Sequence, residues 1–197
     1  MYSELTMTTV RFAHDARSRF AGSARGFNIL ELMLTITVLA VIAGFAAPSF
    51  LTTVRANRIV TDNNELVSAL TLARSEAITR GVRVTVCPTT NQTACATTGG
   101  WEQGWMVFVD PANSGTVDTG ELIVRVWDAL DGGTTIRAAG SYSDFVSFVG
   151  SGEPRATPSN ADRFSVCGSN NVVAEGRTIN VGLVGYARTE KGAVACP

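Results

Sequence analysis

The sequence predicts an α+β fold: a long N-terminal helix packed on a disulfide-bonded antiparallel β-sheet head. Residues 27–50 form a long apolar run, and residues 51–80 carry apolar residues at helical spacing. Beyond Gly81, short runs rich in Val, Ile, Phe and Trp are separated by Gly, Asn and Ser, which is typical of strands and turns. All four cysteines lie in this second part of the chain.

Composition divides the 197 residues into four segments. Residues 1–26 form a basic leader, 27–50 an apolar helix, 51–80 an amphipathic helix, and 81–197 a β-rich globular head. Either Met1 or Met7 is the start, since nothing in residues 1–6 predicts structure.

The apolar segment 27–50 is long enough to span a hydrocarbon core as a helix. Thr35 and Thr37 can return their hydroxyls to the helix backbone, whereas Pro48 removes one helical hydrogen bond and is expected to kink the helix. A carboxylate such as Glu31 costs on the order of 2.5–3.5 kcal/mol at mid-membrane, so its presence indicates a function. The excess of arginine in the leader predicts that the leader stays in the cytoplasm.

The segment 51–80 has an apolar stripe at helical spacing, and its charged residues are expected on other faces. Glu76 and Arg80 stand at i,i+4, and Gly81 is a stop signal. The stripe consists of Val54, Ile59, Leu66, Leu70, Ala73 and Ala77, and the charged residues are Arg55, Arg58, Asp62, Glu65, Arg74 and Glu76.

Seven segments of the head are predicted to be strands. They are Val82–Val86, Trp105–Val109, Leu122–Trp127, Thr134–Ala138, Phe145–Val149, Phe164–Cys167 and Thr178–Val184.

An even number of cysteines predicts two disulfides if the head lies in an oxidising compartment. Three connectivities are open, and sequence proximity favours Cys87–Cys95 and Cys167–Cys196. A cysteine metal site is disfavoured, because there is no Cys-x-x-Cys pair and the only histidine, His14, lies in the leader.

Neither an enzyme nor a cofactor is predicted. The head has no histidine, nucleophile elbow or phosphate-binding glycine loop. Trp101, Trp105 and Trp127 are interpreted as core or interface aromatics. From Gly81 onward there are eight Lys and Arg against eleven Asp and Glu, so no global attraction to nucleic acid or anionic lipid follows.

The spacing of Asp110, Asp118 and Glu121 matches positions one, nine and twelve of an EF-hand calcium loop. Ala112 removes the ligand at position three, and the flanking segments are strand-like. A polar hairpin loop explains the segment without an ion, and calcium is kept only as a weak candidate.

The run Arg25-Gly26-Phe27-Asn28-Ile29-Leu30-Glu31-Leu32 closely resembles the signal of type IV prepilins and of the pseudopilins of type II secretion. The resemblance implies that a prepilin peptidase cuts between Gly26 and Phe27 and N-methylates Phe27. It also implies that Glu31 neutralises the N-terminal amine of a neighbouring subunit during assembly. Pro48 stands where pilins have a proline.

Several further motifs are similar to the FimT/FimU/GspH group of minor pilins and pseudopilins. They are Asn64-Glu65-Leu66, Ala69-Leu70, Ala73 to Ala77, Val84 to Cys87, Trp101, Gly104-Trp105, Val107 to Asp110, and Gly120-Glu121. The resemblance implies a protein that initiates or caps assembly of a pilus or pseudopilus, in type IV pilus biogenesis or type II protein secretion. The residues do not separate these two machines.

The same resemblance implies a location and partners. The expected location is the bacterial inner membrane, single-pass with the head in the periplasm, and then the pilus or pseudopilus, including its tip. The implied partners are other major and minor pilins or pseudopilins, the prepilin peptidase and the inner-membrane assembly platform.

The alternative function is DNA binding for natural transformation, which some FimT-type pilins perform through a Gly-Arg-x-Arg motif. Here Gly185 and Arg188 fit the motif, whereas Tyr186 replaces the first arginine. One phosphate partner is lost and a stacking ring is gained. Arg188 and Lys191, with Arg177, are the predicted basic patch, and exposed turn residues are the simpler interpretation.

Overall fold

The computed structural model describes residues 26–156, 158–159, 161–169 and 176–192, without the side chains of residues 45–49. By its contacts the chain forms two compact units, Met1–Phe45 and Ala46–Pro197. The first unit contains the start of the helix, and the second contains the rest of the helix with all the strands.

A long α-helix, α1, runs without interruption over Ile29–Arg80. Asn28 precedes it: the Leu32 amide donates to the Asn28 carbonyl at 3.1 Å and the Leu30 amide to the Asn28 side chain at 3.4 Å. Gly81 follows it with φ +67°, and its amide donates to the Ala77 carbonyl at 2.9 Å. Glycine adopts this left-handed conformation at no steric cost, so the helix ends where the sequence predicts.

Hydroxyls within the apolar part of α1 bond back to the helix, as expected. Thr35 Oγ1 donates to the Leu32 carbonyl at 2.8 Å, and Thr37 Oγ1 donates to the Met33 carbonyl at 2.7 Å. These bonds satisfy the hydroxyl protons of both threonines within the apolar surface.

The described part of the head contains eight strands in two antiparallel sheets, and the sequence predicted an antiparallel β-sheet head without dividing it into two. The strands are β1 (Val84–Pro88), β2 (Trp105–Val109), β3 (Ile123–Trp127), β4 (Thr135–Ala139), β5 (Val146–Phe148), β6 (Arg163–Cys167), β7 (Arg177–Val181) and β8 (Ala187–Lys191). One sheet has the order β3-β2-β1-β5 and the other β4-β6-β7-β8. All seven predicted strands exist, β2 with its predicted bounds and the other six with shifted ends, whereas β8 was missed.

The main core lies where α1 and both sheets meet within the second unit. Leu66, Leu70 and Ala73 of α1 have no solvent exposure, and they belong to one cluster with Val84, Val86, Phe148, Phe164 and Ile179. Trp101, Trp105 and Trp127 are buried in the same cluster, which confirms their interpretation as core aromatics.

A smaller core covers the opposite face of β1 and β2. It contains Cys87, Met106 and Phe108, with Cys95 and Phe145 packed against it. Alternate residues of a strand point to opposite faces, so the buried Val84 and Val86 face the main core while Cys87 faces this one. The continuous burial of β1 follows from cover on both faces.

Cys87 and Cys95 form the predicted disulfide, with 5.6 Å between their Cα atoms. It closes the loop after β1 over the smaller core. Cys167 is also disulfide-bonded. Cys196 lies outside the described residues, so the Cys167–Cys196 pairing stays a prediction.

Two expectations about α1 were wrong. Val54 is 42% exposed although it was assigned to the apolar stripe, and Asp62 is only 7% exposed although it was assigned to a solvent face. Asp62 follows Ile59 by three residues and precedes Leu66 by four, so it stands at the spacing of the stripe itself. The Glu76–Arg80 pair is present, with 2.6 Å between Oε2 and Nε.

Candidate functional site

The first candidate site is the N-terminal part of α1, residues 29–44. Its large apolar side chains are more than half exposed, which is unusual for a water-soluble surface. They are Ile29, Leu30, Leu32, Met33, Leu34, Ile36, Val38, Leu39, Val41 and Ile42. A helix that is apolar all round needs a partner in lipid or protein.

Glu31 lies in the first turn of this helix and is exposed. A carboxylate at a helix N-terminus interacts favourably with the unpaired amides and the positive end of the helix dipole. The predicted cleavage site precedes this turn: Gly26, Phe27 and Asn28 are not helical, and Phe27 is 80% exposed. Gly26 and Phe27, on the two sides of the predicted cleavage bond, are therefore both exposed and non-helical.

The structure does not test the predicted leader, the predicted kink at Pro48 or the insertion of the helix into a membrane. Among the residues that the structure describes, no helix is both long enough and apolar enough to cross a membrane. The leader up to residue 25 and the side chain of Pro48 lie outside the described residues.

The second candidate site is the terminal hairpin, formed by β7 and β8. Asn180 pairs with Arg188, and Arg177 pairs with Lys191. Paired residues share a face and odd separations place residues on opposite faces, so Arg188 points away from Lys191 and Arg177. The structure therefore does not gather the three predicted basic residues on one surface.

Tyr186, which replaces an arginine of the motif, is contacted by an arginine from the helix. The Arg74 guanidinium lies 4.2 Å from the Tyr186 ring centroid. Its Nε also lies within hydrogen-bonding distance of two carbonyl oxygens, Gly152 at 3.0 Å and Val184 at 3.2 Å. A cation over an aromatic face is attracted by the ring, so Arg74 holds the turn before β8 against the helix.

The loop after β2 contains the weak calcium candidate. Asp110 is fully buried, and its carboxylate accepts bonds from Thr85 Oγ1 at 2.9 Å and from the Ser114 and Gly115 amides at 3.0 Å. Among the described residues there is no group of three His, Cys, Asp or Glu that could hold a metal ion. Asp110 organises the loop through these bonds, and calcium binding by Asp110, Asp118 and Glu121 stays a prediction.

One residue of α1 that contacts a candidate site was missed. Arg74 has no sequence signal, because its contacts with the β7–β8 turn are more than a hundred residues away along the chain.

Comparison with known proteins identifies relatives for most of the chain. A family model for the type II transport protein GspH matches residues 62–185, well over half of the 197 residues. No curated protein matches the chain in sequence.

Two solved structures are similar to the chain, both crystal structures of the type IV minor pilin FimU of Pseudomonas aeruginosa strain PAO1. The crystal form in space group P21 has a TM-score of 0.51 at 18% identity, covering 68% of this chain and 88% of that chain. The form in space group P65 has a TM-score of 0.48 at 19% identity, covering 64% and 88%. At this identity, the match to the P21 crystal form shows that the two chains share a fold.

Proposed function

This chain belongs to the GspH family of type II transport proteins, and we propose that it is a minor pilin or pseudopilin that initiates or caps a filament. The observation that carries the proposal is the uncovered apolar start of α1, with the single carboxylate Glu31 in its first turn. Such a segment is stable only when lipid or other apolar helices cover it.

The proposed mechanism begins with processing. A prepilin peptidase cuts between Gly26 and Phe27 and methylates the new N-terminus. The helix then lies in the inner membrane as a single span over residues 27–50, with the head in the periplasm. The exposed, non-helical Gly26 and Phe27 and the helix start at Ile29 support cleavage at this bond.

Assembly is the second step. In the membrane, the Glu31 carboxylate and the positive N-terminal amine of a neighbouring subunit are each costly to keep in lipid. Pairing them in the filament removes both costs, and only one register of the two helices brings them together. The assembly platform and the other pilins or pseudopilins are the proposed partners, in a type IV pilus or a type II secretion machine.

Processing is tested by co-expressing the chain with a prepilin peptidase and measuring the intact mass. The expected product lacks residues 1–26 and carries one added methyl group on Phe27. Gly26→Val should abolish cleavage, whereas Gly22→Val, a matched change in the leader, should not. Cleavage at any other bond would contradict the proposed processing.

Assembly is tested with Glu31→Ala. This variant should be processed normally but recovered with sheared filaments far less than the wild type. Thr35→Ala, one turn further along the same helix, is the matched control and should assemble normally. Normal incorporation of Glu31→Ala would remove the proposed role of the carboxylate.

DNA binding at a pilus tip is the alternative. Two guanidinium groups lie near the turn between β7 and β8 and support the alternative. Arg188 is exposed on β8, and the guanidinium of Arg74, from α1, lies over the Tyr186 ring in the turn before β8. A titration of the processed chain with short duplex DNA at near-physiological salt tests it. Saturable binding that Arg188→Ala abolishes would favour this role, and absence of binding at high protein concentration would exclude it.

A further inference from the structure

Strand β8 is an open edge of its sheet. It is the last strand in the order β4-β6-β7-β8, and among the described residues no strand pairs with its far side. Four of its five residues are exposed: Arg188, Thr189, Glu190 and Lys191. An exposed edge presents backbone amides and carbonyls without strand partners, and these are a template for one further strand.

The other edges of the two sheets are covered or lack charges of both signs. At β4, the Ile136 amide donates to Glu102 Oε2 at 3.1 Å. At β5, the Arg155 amide donates to the Ser147 carbonyl at 2.8 Å. Strand β3 carries one charged residue, Arg125. Of the four edges in the described part of the head, β8 is therefore the one whose own charges can select a partner strand.

The backbone hydrogen bonds show which groups of β8 face the open edge. The Gly182 amide donates to the Tyr186 carbonyl at 2.9 Å, and the Gly192 amide donates to the Gly176 carbonyl at 3.4 Å. Both pairs continue the register of β7 and β8. In an antiparallel ladder, hydrogen-bonded pairs alternate with non-bonded pairs. The even-numbered residues of β8 therefore bond to β7, and the amides and carbonyls of its odd-numbered residues point to the open edge.

Charge selects one register for a second copy of β8. Two identical edges form an isologous contact when they pair antiparallel, with their odd-numbered residues facing each other. Three registers of this kind overlap three or more residues of β8, and they centre on Arg188, Thr189 or Glu190. The first and the last oppose two like charges. Centring on Thr189 instead places Arg188 of each copy opposite Glu190 of the other, and opposite charges across a strand pair are stabilising.

We propose that β8 pairs with β8 of a second copy of this chain, antiparallel and centred on Thr189. All five residues of Ala187–Lys191 overlap in this register. The odd-numbered residues exchange the backbone bonds, and two Arg188–Glu190 pairs flank the dyad. These charge pairs occupy non-bonded positions, where facing Cα atoms lie only about 4.5 Å apart and side chains are close. Backbone and charge thus favour the same register.

The pairing reverses the direction of α1 between the two copies. Within the second unit, α1 packs on the core face of the sheet, where Leu66 and Leu70 join Ile179 of β7 in one cluster. The dyad is perpendicular to the sheet, so the two helices lie on the same face and run in opposite directions. Subunits that enter one filament from one membrane share a helix direction. The pairing would therefore join the heads of two filaments, and this placement rests on the proposed function, whereas the pairing itself does not.

The experiment measures association of the full processed chain in detergent micelles by sedimentation equilibrium. The wild type should form a dimer that dissociates on dilution. Arg188→Glu and Glu190→Arg should each weaken the dimer by about tenfold or more, because each variant opposes like charges at both pairs. Lys191→Glu, on the same strand but opposite Ala187 in this register, is the matched control and should change the dissociation constant by less than about twofold.

A mixture of the two charge variants distinguishes edge pairing from other association. One variant is acidic at positions 188 and 190 and the other is basic at both, so a mixed dimer opposes unlike charges throughout. An equimolar mixture should therefore dimerise at least as tightly as the wild type, although each variant alone does not. Because Arg188 and Glu190 are exposed, near-UV circular dichroism of both variants should match the wild type.

Amide hydrogen exchange of the ¹⁵N-labelled chain tests the register. On dimerisation, the amides of residues 187, 189 and 191 should become protected. The amides of residues 188 and 190 already bond to β7 and should change little. Protection that rises instead along the apolar start of α1 would place the contact there and contradict the pairing of β8.

Three further outcomes would overturn the proposal: a wild type that stays monomeric up to its solubility limit, a dimer that survives both charge variants, or a mixture of the variants that stays monomeric. Recovery of the chain with filaments is measured separately. A chain that pairs through β8 but is absent from filaments would keep the pairing and remove the pilin role, so the two failures are distinguishable.

Discussion

Arg83 and Asp110 form a buried ion pair, with 3.3 Å between Nε and Oδ2 and side-chain exposures of 2% and 0%. Arg83 Nη2 also donates to Ser147 Oγ of β5 at 2.8 Å. The pair thus joins the segment before β1, strand β5 and the loop that follows β2. Burial lowers the pKa of Arg83, and the charge of Asp110 acts in the opposite direction.

Removing one member of this pair should destabilise the head strongly. Asp110→Asn leaves the Arg83 charge buried without compensation, and breaking a buried pair in this way costs about 3–5 kcal/mol. The measurement is thermal unfolding of the processed chain in detergent, followed by near-UV circular dichroism. All three tryptophans are buried in the head, so this signal reports the head alone.

Asp118→Asn is the matched control for this prediction, because Asp118 is an exposed carboxylate in the same loop. It should change the free energy of unfolding by less than about 0.5 kcal/mol. The double variant Arg83→Met with Asp110→Asn should be less destabilised than Asp110→Asn alone. If Asp110→Asn were as stable as Asp118→Asn, the pair would not hold the loop.

A second prediction concerns the turn between β7 and β8. Gly185 has φ +81°, and a Cβ placed on it would collide with the Gly152 carbonyl oxygen and contact the Arg74 side chain. Gly185→Ala should therefore lower the free energy of unfolding by both backbone strain and displacement of the Arg74 contacts, about 2–3 kcal/mol in total.

Gly120→Ala separates these two contributions. Gly120 has φ +90° but nothing within 4 Å of its added Cβ, so only the backbone strain, about 1 kcal/mol, should appear. Chemical denaturation of the two variants provides the comparison. Equal losses would mean that the close approach of Gly185 to Gly152 does not restrain the turn.

Regular apolar spacing made most of the fold predictable. The stripe from Ile59 to Ala77 places the helix on its sheets, and Gly81 stops it because the chain needs a positive φ there. Strands such as Trp105–Val109 are visible because burial on both faces demands continuous apolar residues. These signals are local, and the sequence carries them directly.

Features that depend on distant partners were not predictable in the same way. Strand β8, with the sequence Ala-Arg-Thr-Glu-Lys, is an edge strand with exposed side chains, and it has no apolar alternation to reveal it. The contact of Arg74 with Tyr186 and the division of the strands into two sheets follow from the tertiary fold. Arg188, Lys191 and Arg177 were grouped by sequence proximity, but strand alternation separates their faces.

The Cys87–Cys95 disulfide gives a third prediction. It closes a loop with a sequence separation of 8, and in the chain-entropy account a loop of this size contributes about 2.5 kcal/mol. Cys87→Ala with Cys95→Ala should lower the melting temperature accordingly, because the unfolded chain regains the freedom of the loop.

Peptide mapping without reductant should in addition recover Cys167 linked to Cys196. A peptide joining Cys167 to any other partner would overturn that pairing.

The fourth prediction concerns pH and rests on Asp162. Its carboxylate accepts hydrogen bonds from the Ser159 amide at 2.6 Å and the Ser141 amide at 2.5 Å, which ties the segment before β6 to the turn after β4. The backbone bond from Ser159 is the main cause that lowers the pKa of Asp162 from 3.8 to about 2, against the opposing effect of burial. Because the pKa is lower in the folded state, the stabilisation is complete above about pH 4 and is lost as the pH falls toward 2.

Asp162→Asn should therefore be less stable than the wild type by about 1–2 kcal/mol at neutral pH. That difference should shrink between pH 4 and 2, as followed by melting temperature across the range, while Asp144→Asn should show no such convergence. A difference that stays constant down to pH 2 would mean that the two amide bonds do not favour the ionised form of Asp162.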